Sequence, residues 1–359
     1  MKVLIATGLY PPEIGGPATY TVLLEKELPK LGYSVDVVAF TRSTKFPRVI
    51  RHIHFFLRVI KHAVSADLIF AQDVSSAGFP AWLVAKILGK RFFIRVPGDY
   101  AWEQSTQRFG VKEGIDEFQN KKYSFKVETL RLVQKIVTKY ADIVVTPSNY
   151  FKHLVTNWGV NPKKVHAIYN GVDLDIKADL PEKVGKKMIV TSGRLVPWKG
   201  FDVLIKIMKD LPDWDLVILG SGPEEERLKE LSVRCNVVDR VHLMGQATRQ
   251  QVFGWCCIAD VFVLNTHFES FSYQIVEAMY SGTPVITTTV GSLPELIDSG
   301  AEGLLVNPDD EKALVEGIES VCTEKELWHK RTLCAQDKAK TFSIAETMKK
   351  LDTLIKNTK

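Results

Sequence analysis

The sequence predicts an α/β protein built from two doubly wound parallel-sheet halves. Its 359 residues exceed what one core usually supports and suggest about two domains. Short apolar runs alternate with helical stretches, the pattern of strands covered on both faces. The alternation restarts after a charged, apolar-poor stretch at 177–187, which reads as a linker.

In the first half, strands are expected at 3–7, 35–40, 67–71, 91–96, 142–146 and 165–169. The loop after the first, 11–17, carries Gly15 and Gly16 ahead of an amphipathic helix at 18–31. Glycines at a helix start let backbone approach a ligand and aim amides at it, although a plain turn pair fits equally well. Asp99 follows the fourth strand in Pro97-Gly98-Asp99-Tyr100. Doubly wound sheets hold ligands at such carboxyl ends, whereas Asp beside Gly is more often a turn residue. The stretch 41–66 holds Arg42, Lys45, Arg48, Arg51, Arg58 and Lys61 without an acid, interleaved with Phe46, Ile50, Phe55, Phe56, Leu57 and Ile60. Two readings stand: a peripheral contact with an anionic membrane, or a helix packed on its own sheet with a solvated basic edge.

In the second half, strands are expected at 188–191, 215–219, 241–244, 261–264, 284–289 and 303–306, with a last helix at 344–355. The loop after the first of these contains Ser192, Gly193, Arg194, Lys199 and Gly200. Arg194 and Lys199 flank it and suit a diphosphate, the guanidinium as a fork and the ammonium as a point charge. The spacing is not that of a P-loop. Gly220-Ser221-Gly222 has Glu225 where a dinucleotide fingerprint needs its third glycine, which argues against that fold of cofactor. Gly245 closes the third strand as a wall for a base.

The stretch 265–284 gathers the most chemistry. Glu269 falls in a strand-to-helix loop, and Glu277 about two turns further on inside a helix that Gly282 and Pro284 end. The amides of Ser270, Phe271 and Ser272 lie near the helix start, where an anion is favoured. Two carboxylates for vicinal hydroxyls and an anion site between them suit a sugar joined to a nucleotide by phosphates. Solvated surface glutamates are the plainer reading of the spacing alone.

Bulk properties set limits. Apolar residues are 45% and charged residues 25%, an ordinary soluble balance. A net charge of +5 does not by itself argue for nucleic acid. Five cysteines without a Cys-x-x-Cys pair favour reduced thiols in a cytoplasmic setting. The first strand begins too early for a signal peptide, and no apolar run approaches the roughly 18 residues of a membrane span. The pairs Asp173/Asp175 and Asp213/Asp215 lack a third ligand and read as structural rather than metal-binding.

Taken together, Gly15-Gly16, Asn170-Gly171-Val172-Asp173, Ser192-Gly193-Arg194-Leu195 with Lys199-Gly200, Gly220-Ser221-Gly222-Pro223 and Glu269 through Glu277-Ala278-Met279 resemble the family 4 retaining glycosyltransferases. Gly282-Thr283-Pro284-Val285 and Gly303-Leu304-Leu305-Val306 extend the resemblance over nearly the whole chain. It implies a GT-B architecture of two facing Rossmann-like domains with a cleft between them. The expected division is 1–172, a hinge at 173–186, and 187–342, with a final helix in 343–359 crossing back to the first domain.

The resemblance also implies roles. Arg194 and Lys199, with Ser192 and Gly193, would hold the donor diphosphate, Glu277 the ribose, and Glu269 the donor sugar. The amides of Phe271 and Ser272 would lie near the phosphate, and Gly16 would approach it from the other domain. Ser270 stands where the family often has Gly. Where many members have a histidine after the fourth strand, this chain leaves Asp99 as the candidate. The implied reaction moves a sugar, of hexosyl type, from a nucleoside-diphosphate sugar to an acceptor hydroxyl with retention, and needs neither metal nor cofactor. The implied acceptor is lipid-linked or a glycan, in cell-envelope polysaccharide synthesis at the cytoplasmic face of the membrane. A nucleotide-sugar 2-epimerase and a two-lobed sugar-binding protein are the alternatives.

Overall fold

The structure, a computed structural model, describes residues 1–13, 15–43 and 47–358. Ile14, and Lys45 and Phe46 of the basic stretch, lie outside the described residues. The chain forms two compact units, Met1–Asn170 with Thr347–Lys359, and Gly171–Glu346.

The first unit contains β1 (Lys2–Thr7), β2 (Ser34–Ala39), β3 (Leu68–Ala71), β4 (Arg91–Arg95), β5 (Ile143–Thr146) and β6 (Val165–Ala167). They pair in the order β2-β1-β3-β4-β5-β6, every pair parallel. β3 and β5 are buried along their whole length, which is why their sequences are apolar without alternation. The helices are α1 (Gly16–Glu27), α2 (Arg48–Ala63), α3 (Gly78–Leu88), α4 (Tyr100–Arg108), α5 (Ile115–Asn120), α6 (Phe125–Lys139) and α7 (Asn149–Asn157). The single helix expected at 18–31 is instead α1 followed by a 3₁₀ turn at Leu28–Leu31. Pro29 has no N–H to continue the α-helical ladder.

The second unit contains β7 (Lys187–Ser192), β8 (Trp214–Leu219), β9 (Val241–Gly245), β10 (Val261–Leu264), β11 (Val285–Thr288) and β12 (Leu304–Val306). Their order is β12-β11-β10-β7-β8-β9, again all parallel. The helices are α8 (Phe201–Ile207), α9 (Glu225–Arg234), α10 (Arg249–Ile258), α11 (Tyr273–Ser281), α12 (Leu293–Leu296), α13 (Glu311–Thr323), α14 (Lys325–Lys340) and α15 (Ile344–Asn357). From Thr347 onward α15 belongs to the first unit. It buries Met348, Leu351 and Ile355 there at helical spacing, and Tyr33 donates to Asp352 Oδ1 at 2.7 Å.

Both sheets reverse direction at their first strand. β1 lies between β2 and β3, and β7 between β8 and β10. At such a point the loops leaving adjacent strands diverge and open a crevice at the carboxyl ends. In the second unit those loops are 193–200 and 265–272.

Candidate active site

Backbone contacts that only glycine permits bring the loops of the second switch point together. Gly220 has φ of 144°, and a Cβ there would stand 1.9 Å from the Gly193 carbonyl oxygen. Gly193 N donates to Leu219 O at 2.9 Å, and Leu195 N to Ser221 O at 3.0 Å. Gly220 N donates to Gly245 O at 2.7 Å, so the carboxyl ends of β7, β8 and β9 converge. Gly200, at φ 59°, follows a 3₁₀ turn over Pro197–Lys199 and starts α8. A Cβ on it would lie 2.0 Å from Asn265 O. Asn265 Nδ2 donates to Gly200 O at 3.3 Å, Thr266 Oγ1 to Trp198 O at 3.1 Å, and His267 N to Trp198 O at 2.8 Å. The cationic loop is thus stitched to the end of β10.

That stitching delivers Lys199 to Glu269. The ammonium donates to Oε1 of the carboxylate, and the two side chains are 13% and 11% exposed. Gly291 passes beneath Glu269, and Ser292 N donates to Glu269 O at 3.0 Å. Ser192 is buried on β7 with no hydrogen-bond partner for its hydroxyl among the described residues. Arg194 is exposed, without an ion pair among the described residues. The crevice therefore holds one cation neutralised by a glutamate and one still available.

Ser272 is the N-cap of α11, accepting from Ile275 N, and Gly282 ends the helix at φ 80°. Ser270 and Phe271 lead directly into that cap. Glu277 sits in the second turn, 3% exposed. A carboxylate so buried needs a partner, and Arg249 supplies one: its Nε donates to Glu277 Oε1 and its Nη2 to Asp173 O at 3.0 Å. Burial pushes the Glu277 carboxyl above its ordinary range, and Arg249 pulls against that. Arg249 escapes a sequence reading. The Thr248 and Gln251 capping box around it is legible as a helix start, but nothing local ties it to a glutamate 28 positions on.

The acidic pairs are engaged with neighbours. Asp173 Oδ1 accepts from Asp175 N at 3.2 Å, and Asp215 Oδ1 lies 2.8 Å from His242 Nε2.

The remaining expected site residues lie in the first unit. Gly15 is the N-cap of α1 and Gly16 its first residue, where an added Cβ would meet open space. Asp99 is 1% exposed and caps α4, its Oδ1 accepting from Trp102 N at 3.0 Å and Gln134 Nε2 at 3.1 Å. Gln119 Nε2 donates to its Oδ2 at 2.9 Å. Burial raises its carboxyl above the usual value, and the three donors oppose that. Such a placement is that of a helix cap and network centre.

Comparison with known proteins places the chain in a family. Residues 14–176 match Glycosyltransferase Family 4, and residues 172–337 match Glycosyl transferases group 1. An uncharacterized glycosyltransferase of Methanocaldococcus jannaschii is 26% identical, with 90% of each chain covered. D-inositol 3-phosphate glycosyltransferase of Corynebacterium glutamicum is 24% identical, over 95% of this chain and 91% of that one. Matches to several further relatives span about half of those proteins. Anabaena HepE, solved in complex with UDP-glucose, shares the fold with a TM-score of 0.80 at 18% identity, over 99% of both chains. The two family matches run end to end over 14–337, on a fold of two parallel six-stranded sheets: the chain belongs to the family 4 glycosyltransferases, enzymes of the GT-B fold.

Proposed function

We propose that this enzyme transfers a hexosyl group from a nucleoside-diphosphate sugar to an acceptor hydroxyl, with retention and without a metal. The observation that carries the reading is the placement of Lys199, Glu269 and the exposed Arg194 around one switch point, beside the start of α11. Arg194 and Lys199 supply positive charge to the diphosphate, and the α11 start adds amides to its oxygens. Glu269 accepts from sugar hydroxyls, and Glu277 from ribose hydroxyls. A neighbour solved with UDP-glucose supports such a donor, and a relative named as a D-inositol 3-phosphate glycosyltransferase supports glycosyl transfer.

In the reaction so read, the acceptor oxygen bonds to the anomeric carbon as the bond from that carbon to the phosphate oxygen breaks. The nucleoside diphosphate leaves with the electron pair and takes the acceptor proton. The cations and helix amides stabilise charge where it develops, the largest contribution in many such reactions.

The acceptor is read as lipid-linked or a glycan of the cell envelope, met at the cytoplasmic face of the membrane. No helix among the described residues is long and apolar enough to cross a bilayer. Peripheral contact is supported by α2, which buries Phe55, Val59 and Ala63 and exposes Ile50, Ile53 and Leu57 on its opposite face, with Val64 just beyond. The stretch 41–66 has no carboxylate, and Lys61 is exposed. Binding to anionic vesicles should weaken with salt and in Ile53→Ser/Leu57→Ser; equal binding by that variant would refute the contact.

The test of the transferase reading is product release. Nucleoside diphosphate should appear only when donor and acceptor are both present, whereas release without acceptor would favour a 2-epimerase.

A further inference from the structure

The groove between α4 and α6 in the first unit is not used by the donor reading. It encloses about 340 Å³, within the roughly 300–1,000 Å³ typical of small-molecule sites. Its walls are apolar: Tyr100 and Phe109 on one side, Phe125 and Leu130 on the other. Phe125 is 87% exposed at the first position of α6, where a solvated Lys or Glu would cost less to leave in water. With Tyr100, Phe109 and Leu130 it makes a contiguous apolar lining rather than an isolated exposed side chain, and contiguous apolar grooves mark ligand sites.

The polar groups narrow the occupant. Arg108 and Lys126 are the charged residues lining the groove, and neither forms an ion pair among the described residues. Gln104 Oε1 is buried in the wall with no hydrogen-bond partner among the described residues. α6 begins at the groove, and its N-cap, Ser124, makes no side-chain cap, so the helix end adds to the preference for an anion. Tyr100, which lines the groove, is the first residue of α4, in the connection that leaves the carboxyl end of β4. The groove thus opens at the carboxyl edge of the sheet, where doubly wound folds hold ligands.

We infer that this groove binds an acceptor bearing a phosphate next to an apolar chain, with Arg108 and Lys126 on the phosphate and Tyr100, Phe109, Phe125 and Leu130 along the chain. The inference rests on the transferase reading and gives its acceptor a chemical class. A free sugar would leave these apolar walls wet, and a neutral lipid would leave the two cations and Gln104 without partners.

The experiment uses the full chain and three probes, farnesyl phosphate, farnesol and inorganic phosphate, with binding measured by calorimetry. Farnesyl phosphate should bind the native chain. It should bind at least about tenfold more weakly to Arg108→Glu/Lys126→Glu and to Phe125→Ser, while Phe125→Leu retains binding. All these side chains are exposed, so the variants should fold. Farnesol should bind at least about tenfold more weakly than its phosphate, and inorganic phosphate should not compete. Unchanged affinity in both variants, equal affinity for farnesol, competition by phosphate alone, or no binding of farnesyl phosphate would each overturn the inference. Nucleoside diphosphate binding is measured on the same samples. If nucleotide binds and farnesyl phosphate does not, the groove assignment falls and the donor reading stands; the reverse result leaves the groove and removes the donor site.

Discussion

Lys199 and Glu269, 70 positions apart in the chain, form an ion pair across the switch point of the second sheet. The sequence offered each separately, one in a cationic loop and one in a strand-to-helix loop; their pairing was hidden, because it depends on Gly200 meeting Asn265 backbone to backbone. The pair neutralises a nearly buried cation and a nearly buried anion; on the proposed function, a donor's phosphate and hydroxyls would take over these contacts.

Removing one partner should therefore cost more than removing both. Lys199→Met and Glu269→Gln should each destabilise by about 2 kcal/mol, since each leaves the other charge poorly solvated. The double variant should recover much of that loss, a coupling that a double-mutant cycle in urea measures directly. Transfer should remain lost in all three. Additive stability losses would show that the pair contributes nothing.

Gly200→Ala tests the backbone junction. The added methyl would meet Asn265 O at 2.0 Å in a residue held at φ 59°, so loop and strand end must separate. A loss of about 2–4 kcal/mol is expected from strain and broken packing. Nucleotide affinity should fall in parallel; thermal denaturation and calorimetry check the two effects.

Glu277 sets a pH dependence. With its carboxyl raised above the usual 4.5, the folded state binds the proton more tightly than the unfolded chain. Stability is therefore lost as pH rises from 4.5 through the raised value, and no more is lost above it. Glu277→Gln should remove this loss, so its stability should decline less across that window, whatever constant cost comes from leaving Arg249 without its charge partner. Parallel curves for the two proteins would contradict the assignment.

Asp99→Asn should fold with a modest loss of stability and keep both nucleotide binding and transfer: the amide oxygen can still accept from Trp102 N and Gln134 Nε2, whereas the new NH2 would face the Gln119 donor. Asp99→Ala should lose about 1–2 kcal/mol through the missing cap. A folded Asp99→Asn variant that binds nucleotide but has no transfer would instead return Asp99 to the chemistry.

The strands were readable because parallel strands buried on both faces are apolar runs whatever lies around them: Leu68–Ala71 and Ile143–Thr146 show no alternation. The placement of Glu269 in a loop and of Glu277 inside a helix was readable because strand end, helix start and helix stop are local features. Arg249 was not, since its value comes from a long-range desolvated contact with Glu277. The three amide and backbone donors around Asp99 were equally hidden. They come from α4, α5 and α6, and no local spacing reveals that these helices converge on one carboxylate.

The most direct test of the central claim, that the β7 and β10 loops bind the diphosphate of a sugar donor, is a thermal-shift panel of nucleoside diphosphates and their sugars on the native chain and Arg194→Ala. A ligand at a hundredfold excess over its Kd should stabilise the native chain by about 2.7 kcal/mol. One base should give a concentration-dependent rise in Tm, lost or sharply reduced in Arg194→Ala. No rise with any nucleotide, or the same rise in Arg194→Ala, would contradict the account.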